Sequence, residues 1–568
     1  MTIQKSPRKF IQDNLKIDSW ETIKPYYEDL VERTITSSAD FEKWLQDRSE
    51  LDAVIEEDAA WRYIKMTIDT TKEELTKDYT FFVSQIQPHI APFEDKLNQK
   101  FIECPFSSPE NKEDGFAIYH RSVLSAIKLF QQENIELEAK VNELSQEFGS
   151  ISGGQSIEVD GEKITMQKAS LYLKDNDESL RKSVFDKMVA RRAEDDQKLN
   201  DLFSELVQLR HKIAVNAGFK NYRDYKFEAL GRFDYSKEDC FNFHAAIKSE
   251  IVPLVKQLQE EKLTKLGKEQ FKPWDLDVDP DGLKPLKPFE NGKEMLDGTI
   301  ELLTKIDPYF GECIATMAEM NYLDLDSKEG KAPGGYNYPL YEIGVPFIFM
   351  NAVGAQRDLV TMVHESGHAV HSFLSRDLNL TAYKNVPSEV AELASMSMEL
   401  LSMEEWTKFY TSEDLKRAKK DQLETILKIL PWIATIDEFQ HWVYENPMHT
   451  IEERYAQWNK LGSDYGTGLT DWSGYENARS TSWQRQMHLF EVPFYYIEYG
   501  FAQLGALGVW KNSLNDFAQT ITNYKEALKL GYTKSIPEIY ETAGVKFDFS
   551  QKYLHELATF VKSELEKL

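Results

Sequence analysis

The sequence predicts a mainly α-helical protein with one small β-sheet. Long amphipathic segments rich in Glu, Lys and Leu occupy residues 18–150, and helical patterns return over residues 414–449. Runs of β-branched and aromatic residues are short, and they are concentrated near residues 156–166 and 338–351. The 568-residue chain is long enough to form more than one domain.

Residues 1–190 are predicted to form an N-terminal helical lobe. Phe41–Trp61 reads as one amphipathic helix, and Tyr79–Ile90 as another that stops near Pro88 and Pro92. No group of residues in this region suggests chemistry. Its expected role is to enclose the part of the protein that follows it.

A β-hairpin is predicted near residues 155–167. Residues 156–159 and 162–166 alternate in polarity around Asp160-Gly161, a pair that favours a two-residue turn. This change of character separates two helical blocks. Residues 191–568 are predicted to form a second helical domain.

Short strands are expected at residues 338–342 and 345–351, just before the most informative motif. If Phe347–Asn351 is an edge strand, its free backbone groups can pair with an extended peptide. Such pairing recognises the main chain and therefore suits many peptide sequences.

The motif Val363-His-Glu-Ser-Gly-His-Ala-Val-His371 predicts a metal-binding turn of helix. His364 and His368 are four residues apart, so both imidazoles lie on one face and can reach one zinc ion. Glu365 stands beside them, where a carboxylate can take a proton from an activated water. The alternative interpretation is a helix with two ordinary core or surface histidines.

A second helix, over residues 388–399, is predicted to supply the third ligand, Glu392. Glu399 lies two turns further on and is predicted to accept a hydrogen bond from a ligand histidine. Glu389 is interpreted as a solvated surface carboxylate. His371 is interpreted as a core residue or as a residue behind the ligands.

The segment from Trp483 to Trp510 contains the candidate oxyanion donors His488, Tyr496 and Tyr499. An aromatic stripe at helical spacing is by itself more typical of a core. Beside a metal site, however, tyrosine hydroxyls and a histidine can stabilise the oxyanion formed during amide hydrolysis.

Residues 364–371, with Val390–Ser395 and Glu399, resemble the thimet oligopeptidase and oligoendopeptidase F family of zinc peptidases. Further segments resemble the strand before that family's metal helix, its tyrosine-rich segment and the N-terminus of its oligoendopeptidase branch: residues 330–336, 346–351, 488–500 and 19–51. The resemblance thus covers nearly the whole chain.

The resemblance implies a two-lobed, zincin-like helical fold with a small sheet beside the metal helix and a deep substrate cleft. It implies one zinc ion on the three predicted ligands, Glu365 as general base, and His488, Tyr496 and Tyr499 at the oxyanion. It also implies short peptide substrates, because a narrow cleft excludes folded proteins. The predicted function is a zinc-dependent oligoendopeptidase.

Two alternatives remain open. A peptidyl-dipeptidase or carboxypeptidase of the same clan has similar metal motifs, but it needs a cation that binds the substrate carboxylate. The sequence singles out no lysine or arginine for that role. A non-catalytic peptide-binding scaffold with a structural metal is the other alternative, and it would have no need of Glu365.

Composition limits the partners and the compartment. A net charge of −28 argues against nucleic acid and suits neutral or basic peptides. Three cysteines without paired spacing favour a reducing compartment. The N-terminus lacks a secretory pattern and no uncharged apolar run approaches ~20 residues. We therefore predict a cytoplasmic protein without a membrane partner, whereas oligomeric state and the choice of zinc over cobalt or manganese stay open.

Overall fold

The computed structural model of the chain describes residues 1, 3–110 and 115–568. Its α-helices in the N-terminal part are α1 (Trp20–Glu32), α2 (Ser38–Ile68), α3 (Glu73–Phe81), α4 (Gln87–Glu103), α5 (Phe116–Leu129), α6 (Asn134–Gly153), α7 (Met166–Leu171) and α8 (Glu178–Ala193). The central helices are α9 (Asp196–Asn216), α10 (Tyr222–Ala229), α11 (Lys237–Ala246), α12 (Val252–Leu266), α13 (Gly292–Ile306), α14 (Pro308–Glu319), α15 (Gln356–Ser375), α16 (Thr381–Lys384) and α17 (Ser388–Ser402). The C-terminal helices are α18 (Ser412–Glu445), α19 (Ile451–Asp464), α20 (Glu476–Ser480), α21 (Met487–Glu491), α22 (Ile497–Ser513), α23 (Phe517–Lys529), α24 (Ile536–Thr542) and α25 (Gln551–Leu565).

The strands are few and short, which confirms the predicted mainly helical fold. They are β1 (Ser156–Val159), β2 (Glu162–Thr165), β3 (Leu323–Asp326), β4 (Tyr336–Tyr338) and β5 (Phe347–Ala352). Within the described part of the chain, no helix combines the length and the apolar character needed to cross a membrane.

Helix α2 contains the predicted Phe41–Trp61 segment and begins after Ser37, whose hydroxyl accepts the backbone N–H of Asp40 at 3.1 Å. The predicted end of the next helix near Pro88 and Pro92 is wrong. Both prolines lie inside α4, which runs on to Glu103. A first-turn proline such as Pro88 is tolerated because its missing N–H has no partner within the helix anyway.

The predicted hairpin is confirmed. Strands β1 and β2 pair antiparallel around Asp160 and Gly161, which both have positive φ angles, 53° and 79°. The apolar face of the hairpin packs against Val184 and Met188 of α8. The domain boundary placed near residue 190 stays a prediction.

The second sheet has the order β3-β5-β4, with β5 parallel to β3 and antiparallel to β4. Residues 347–351 do form a strand, but it lies in the middle of the sheet, so the condition under which they could pair with a peptide is not met. The acidic sequence of β3, Leu-Asp-Leu-Asp, gave no sign of the strand that covers one side of β5. Strands β3 and β4 form the two edges instead, and residues 339–342, expected to be strand, lie outside β4.

This sheet lies between the N-terminal helices and α15. Ala60, Ile64 and Trp61 of α2 pack against Phe347, with the Trp61 and Phe347 ring centroids 5.8 Å apart. On the other side, the side-chain amide of Asn337 in β4 donates to the carbonyl oxygen of Glu365 in α15 at 3.1 Å. The edge strand is thus held directly beside the His364–His368 turn.

Candidate active site

The structure brings His364, His368 and Glu392 together, each with one potential ligand atom within 4.8 Å of the others. The Nε2 atoms of His364 and His368 lie 3.3 and 3.8 Å from Oε2 of Glu392. The two imidazoles come from one face of α15, and the carboxylate comes from α17. The geometry matches the predicted arrangement of two helices around one point.

Gly367 allows these two helices to approach so closely. A Cβ atom at this position would lie 2.6 Å from Cα of Ser395 and 2.8 Å from the carbonyl oxygen of Ala394, both in α17. No larger residue fits without moving α17. The glycine between the two histidines therefore sets the distance between the histidines and Glu392.

Hydrogen bonds orient the three side chains. Nδ1 of His364 donates to Glu399 at 2.7 Å, and Glu399 also accepts from the side-chain amide of Gln422 at 2.7 Å. This is the contact predicted for Glu399, and it leaves Nε2 of His364 facing Glu392. Glu392 accepts from Ser395 Oγ at 3.0 Å and from the Tyr495 hydroxyl at 3.2 Å.

The site suits a divalent cation. Burial alone would raise the pKa of Glu392, but its hydrogen bond with His364 and the nearby imidazoles outweigh burial and lower this pKa to about 2. Among the described residues, no lysine or arginine forms an ion pair with this buried carboxylate. Two histidines and a glutamate form a donor set that catalytic zinc sites use.

Glu365 lies on the same turn and faces the same space. Its side chain is buried, and burial raises its pKa to about 7. The carboxylate lines the cavity that contains the three candidate ligands. It is therefore placed to exchange a proton with a molecule bound beside them.

A cavity of about 500 Å³ opens at the histidines. Tyr336 and Asn337 of β4 line it together with Gly335 just before the strand, and Tyr495 and Tyr499 line it as well. Because β4 has a neighbour on one side only, the backbone at this edge is free to pair with an extended chain. The edge that faces the cavity is therefore β4 and not Phe347–Asn351.

The predicted oxyanion donors occupy different positions. The Tyr499 side chain lines the cavity, whereas His488 and Tyr496 are not among its described lining residues. Both pack against Tyr499, with ring centroids 5.9 and 5.4 Å away, and Gln486 forms a hydrogen bond with His488 Nδ1 at 2.7 Å. Their role stays a prediction.

Sequence reasoning missed three residues that line the cavity: Tyr495, Arg376 and Lys384. Tyr495 stands next to the candidates in the sequence, and its contact with Glu392 depends on where α22 begins. Arg376 follows α15 and Lys384 ends α16, so only the tertiary fold brings these two cations to the cavity.

The interpretation of Glu389 as a solvated carboxylate is wrong. Its side chain is buried and accepts a hydrogen bond from the Tyr235 hydroxyl. Helix α17 is covered by α15 on one side and by α22 on the other, so it has little free surface at this end. His371 is buried and lines the cavity behind His368, which agrees with its predicted place.

Comparison with known proteins gives matches over most of the chain. The model of "Peptidase family M3" matches residues 171–559, and that of "Peptidase M3 N-terminal domain" matches residues 10–130. An oligoendopeptidase F homolog of Borreliella burgdorferi is 22% identical over 93% of this chain and 90% of its own length. A plasmid-borne oligoendopeptidase F of Lactococcus lactis subsp. cremoris is 25% identical over 65% of this chain and 63% of its own.

Solved structures share the whole fold. Pz peptidase A, solved with an inhibitor, is 26% identical, covers 99% of both chains and superposes with a TM-score of 0.91. Oligoendopeptidase F from Enterococcus faecium is 14% identical, with a TM-score of 0.67 over 96% of this chain and 97% of its own. The second likeness concerns the fold alone.

Proposed function

This chain belongs to peptidase family M3 and is a metallopeptidase of the oligopeptidase type, and from that premise we propose which residues perform its reaction. The observation that carries the proposal is the convergence of His364, His368 and Glu392 beside Glu365 at the wall of one cavity. We propose that the first three hold one zinc ion. Bound there, zinc supplies a Lewis acid that polarises a carbonyl and makes water more acidic.

Glu365 is the proposed general base. It lies on the same helical turn as the ligands but belongs to none of the contacts that orient them, so its carboxylate is available to the reactants. It accepts the proton of the attacking water and delivers it to the nitrogen of the leaving amine. Because the Glu365 carboxylate lies in the wall of the cavity, the same group can perform both proton transfers.

Tyr499 is the proposed hydroxyl donor to the oxyanion, since its side chain lines the cavity. His488 and Tyr496 are proposed as further donors that reach the reacting carbonyl once the substrate is bound. Catalytic hydrogen bonds are often long without substrate, so their position behind Tyr499 is compatible with this role. Tyr495 is proposed to hold Glu392 in place through its 3.2 Å hydrogen bond.

The proposed substrates are short peptides that lie extended along β4. Main-chain pairing with this edge accepts many sequences. A cavity of about 500 Å³ holds a few residues and cannot hold a folded protein. We further propose a reducing, cytoplasmic setting, supported by three cysteines that are all buried and unpaired.

Arg376 and Lys384 are the observation that favours the second candidate, an exopeptidase. Both line the cavity and carry the charge that binds a terminal carboxylate. We favour endopeptidase action because edge-strand pairing does not require a free terminus.

A short peptide acetylated at its N-terminus and amidated at its C-terminus separates these candidates. We expect the purified chain to cleave it at an internal bond, to lose this activity when a chelator removes the metal, and to regain it when zinc is returned. Mass spectrometry of the products measures all three. An intact blocked peptide beside a shortened free one would establish the exopeptidase, and no cleavage of either would establish a binding scaffold.

A further inference from the structure

A second group of metal-type donors lies in the helical core, apart from the cavity. Cys240 of α11 and Asp437 and His441 of α18 each place one potential ligand atom within 4.8 Å of the others. All three side chains are buried. None of them is among the residues that line the active-site cavity.

Two helical turns build this group. Cys240 and His244 are four residues apart on α11, and Asp437 and His441 are four apart on α18, so each pair shares one helix face. Nε2 of His244 lies 2.9 Å from Oδ2 of Asp437, and Nε2 of His441 lies 3.2 Å from the same oxygen. The second separation, between two members of the group, is close to the 3.3 and 3.8 Å between the candidate catalytic ligands.

Several polar atoms of the group lack hydrogen-bond partners. Among the described residues, Oδ1 of Asp437 accepts no hydrogen bond, and both ring nitrogens of His441 fall outside hydrogen-bond geometry. Asp437 is 0% exposed and forms no ion pair with a lysine or arginine of the described chain. A buried carboxylate and a buried imidazole left in this way are destabilising unless a cation lies between them.

The hydrogen bond from His244 explains one oxygen of Asp437 and nothing else in the group. It leaves the second carboxylate oxygen and the Cys240 sulfur without a role, and it leaves His441 with only the 3.2 Å approach of its Nε2 to the oxygen that His244 already contacts. A transition-metal ion would use all three, because thiolate, imidazole and carboxylate are the donors that zinc binds.

We propose that Cys240, Asp437 and His441 bind a second divalent transition-metal ion, zinc by donor type, at a structural site that joins α11 to α18. His244 orients the Asp437 carboxylate through its hydrogen bond, as a residue next to the ligands does in other metal sites. The site is closed to substrate because its three donors are buried.

The proposed metal site would stabilise the part of α18 that holds the chain from Phe494 to Tyr499 in place. Gln440, next to His441, accepts the backbone N–H of Phe494, and Phe494 directly precedes Tyr495. An ion that fixes α18 against α11 thus steadies the chain that leads to Tyr495 and Tyr499. We expect its loss to lower thermal stability more than the rate of the chemical step.

Cobalt substitution tests the proposal without any mutation. The full chain is produced in zinc-depleted, cobalt-supplemented medium, and its cobalt content and near-ultraviolet absorption are measured. We expect two cobalt ions per chain and a thiolate-to-cobalt charge-transfer band, because only the second site contains sulfur. One ion per chain, or two ions without this band, would overturn the proposal.

Three variants assign the band. Cys240→Ser should lose the band and one ion, whereas Cys313→Ser, a matched change of another fully buried cysteine, should lose neither. Glu392→Gln should lose one ion and all peptidase activity but keep the band. This result would show that metal binding at the Cys240 site does not depend on the active-site ion. A band that survives Cys240→Ser would refute the assignment, and the wild-type spectrum decides the question if that variant does not fold.

Discussion

Two turns of helix in this chain carry the same spacing of donors but differ in their surroundings. On α15 the order is His364-Glu365-x-x-His368, and on α18 it is Asp437-Glu438-x-x-His441. The side chains of His364 and His368 are 19% and 18% exposed, whereas those of Asp437 and His441 are 0% and 3% exposed. Only the first turn can therefore be reached from the cavity.

Each turn also contains a glutamate, Glu365 or Glu438, and the two carboxylates differ in how free they are to react. Glu365 lines the cavity and takes no part in the contacts that orient the ligands. Glu438 accepts hydrogen bonds from the Tyr465 hydroxyl and from Lys248 Nζ, the latter at 3.1 Å. The comparison indicates that the same helical spacing serves both proposed metal groups once a second helix adds a third donor, and that only the group beside a cavity and an available carboxylate is placed for catalysis.

The largest effect is expected from Glu365→Gln. The amide cannot accept the proton of the attacking water, so kcat should fall by about 10²–10⁴-fold while metal content is unchanged. Peptide hydrolysis and metal analysis on the same sample measure both. Glu438→Gln is the matched control and should change kcat by no more than about twofold. Undiminished hydrolysis in a zinc-loaded Glu365→Gln chain would refute the general-base role.

Gly367→Ala should disturb the geometry of the candidate active site without replacing any of its ligands. The new methyl group would collide with α17 at Ser395, shift Glu392, and lower kcat/KM by about 10²-fold, with about 1–3 kcal/mol lost in stability. Gly153→Ala in α6 is the matched control, because a Cβ there meets nothing within 4 Å. Equal activities of the two variants would show that close helix packing is not needed to place Glu392.

A smaller effect is expected from Glu399→Ala. Without its acceptor, His364 loses the hydrogen bond that fixes its ring, and zinc affinity should fall by about 10–100-fold. Activity measured against free zinc concentration should shift to higher zinc and then recover. Glu404→Ala, which removes only a surface pair with Lys419, should leave the curve in place. An unshifted curve for Glu399→Ala would contradict the orienting role.

The sequence predicted how His364, Glu365 and His368 are placed on α15 because that placement depends only on local structure. His364, Glu365 and His368 lie within five positions, and the helical period alone places them on adjoining faces. Glu392 and Glu399 followed because α17 is a second regular helix that returns to the first. Residues whose relative positions follow from the helical period could therefore be predicted without knowledge of the tertiary fold.

Features that depend on packing between secondary-structure elements could not be predicted from the sequence. Glu389 looked solvated because its polarity says nothing about the two helices that cover it. The place of β5 in the middle of its sheet was not evident because its partner β3 has an acidic sequence. Arg376 and Lys384 reach the cavity only in the folded chain. The donor group on α11 and α18 was missed for the same reason, since its residues are nearly two hundred positions apart.

Anomalous scattering at the zinc absorption edge, recorded from crystals of the active full chain, tests the central claim most directly. We predict a strong peak enclosed by Nε2 of His364, Nε2 of His368 and the carboxylate of Glu392, with Glu365 beside it and making no bond to the ion. An active crystal with no peak at that point, or with its catalytic zinc held by other residues, would contradict this account.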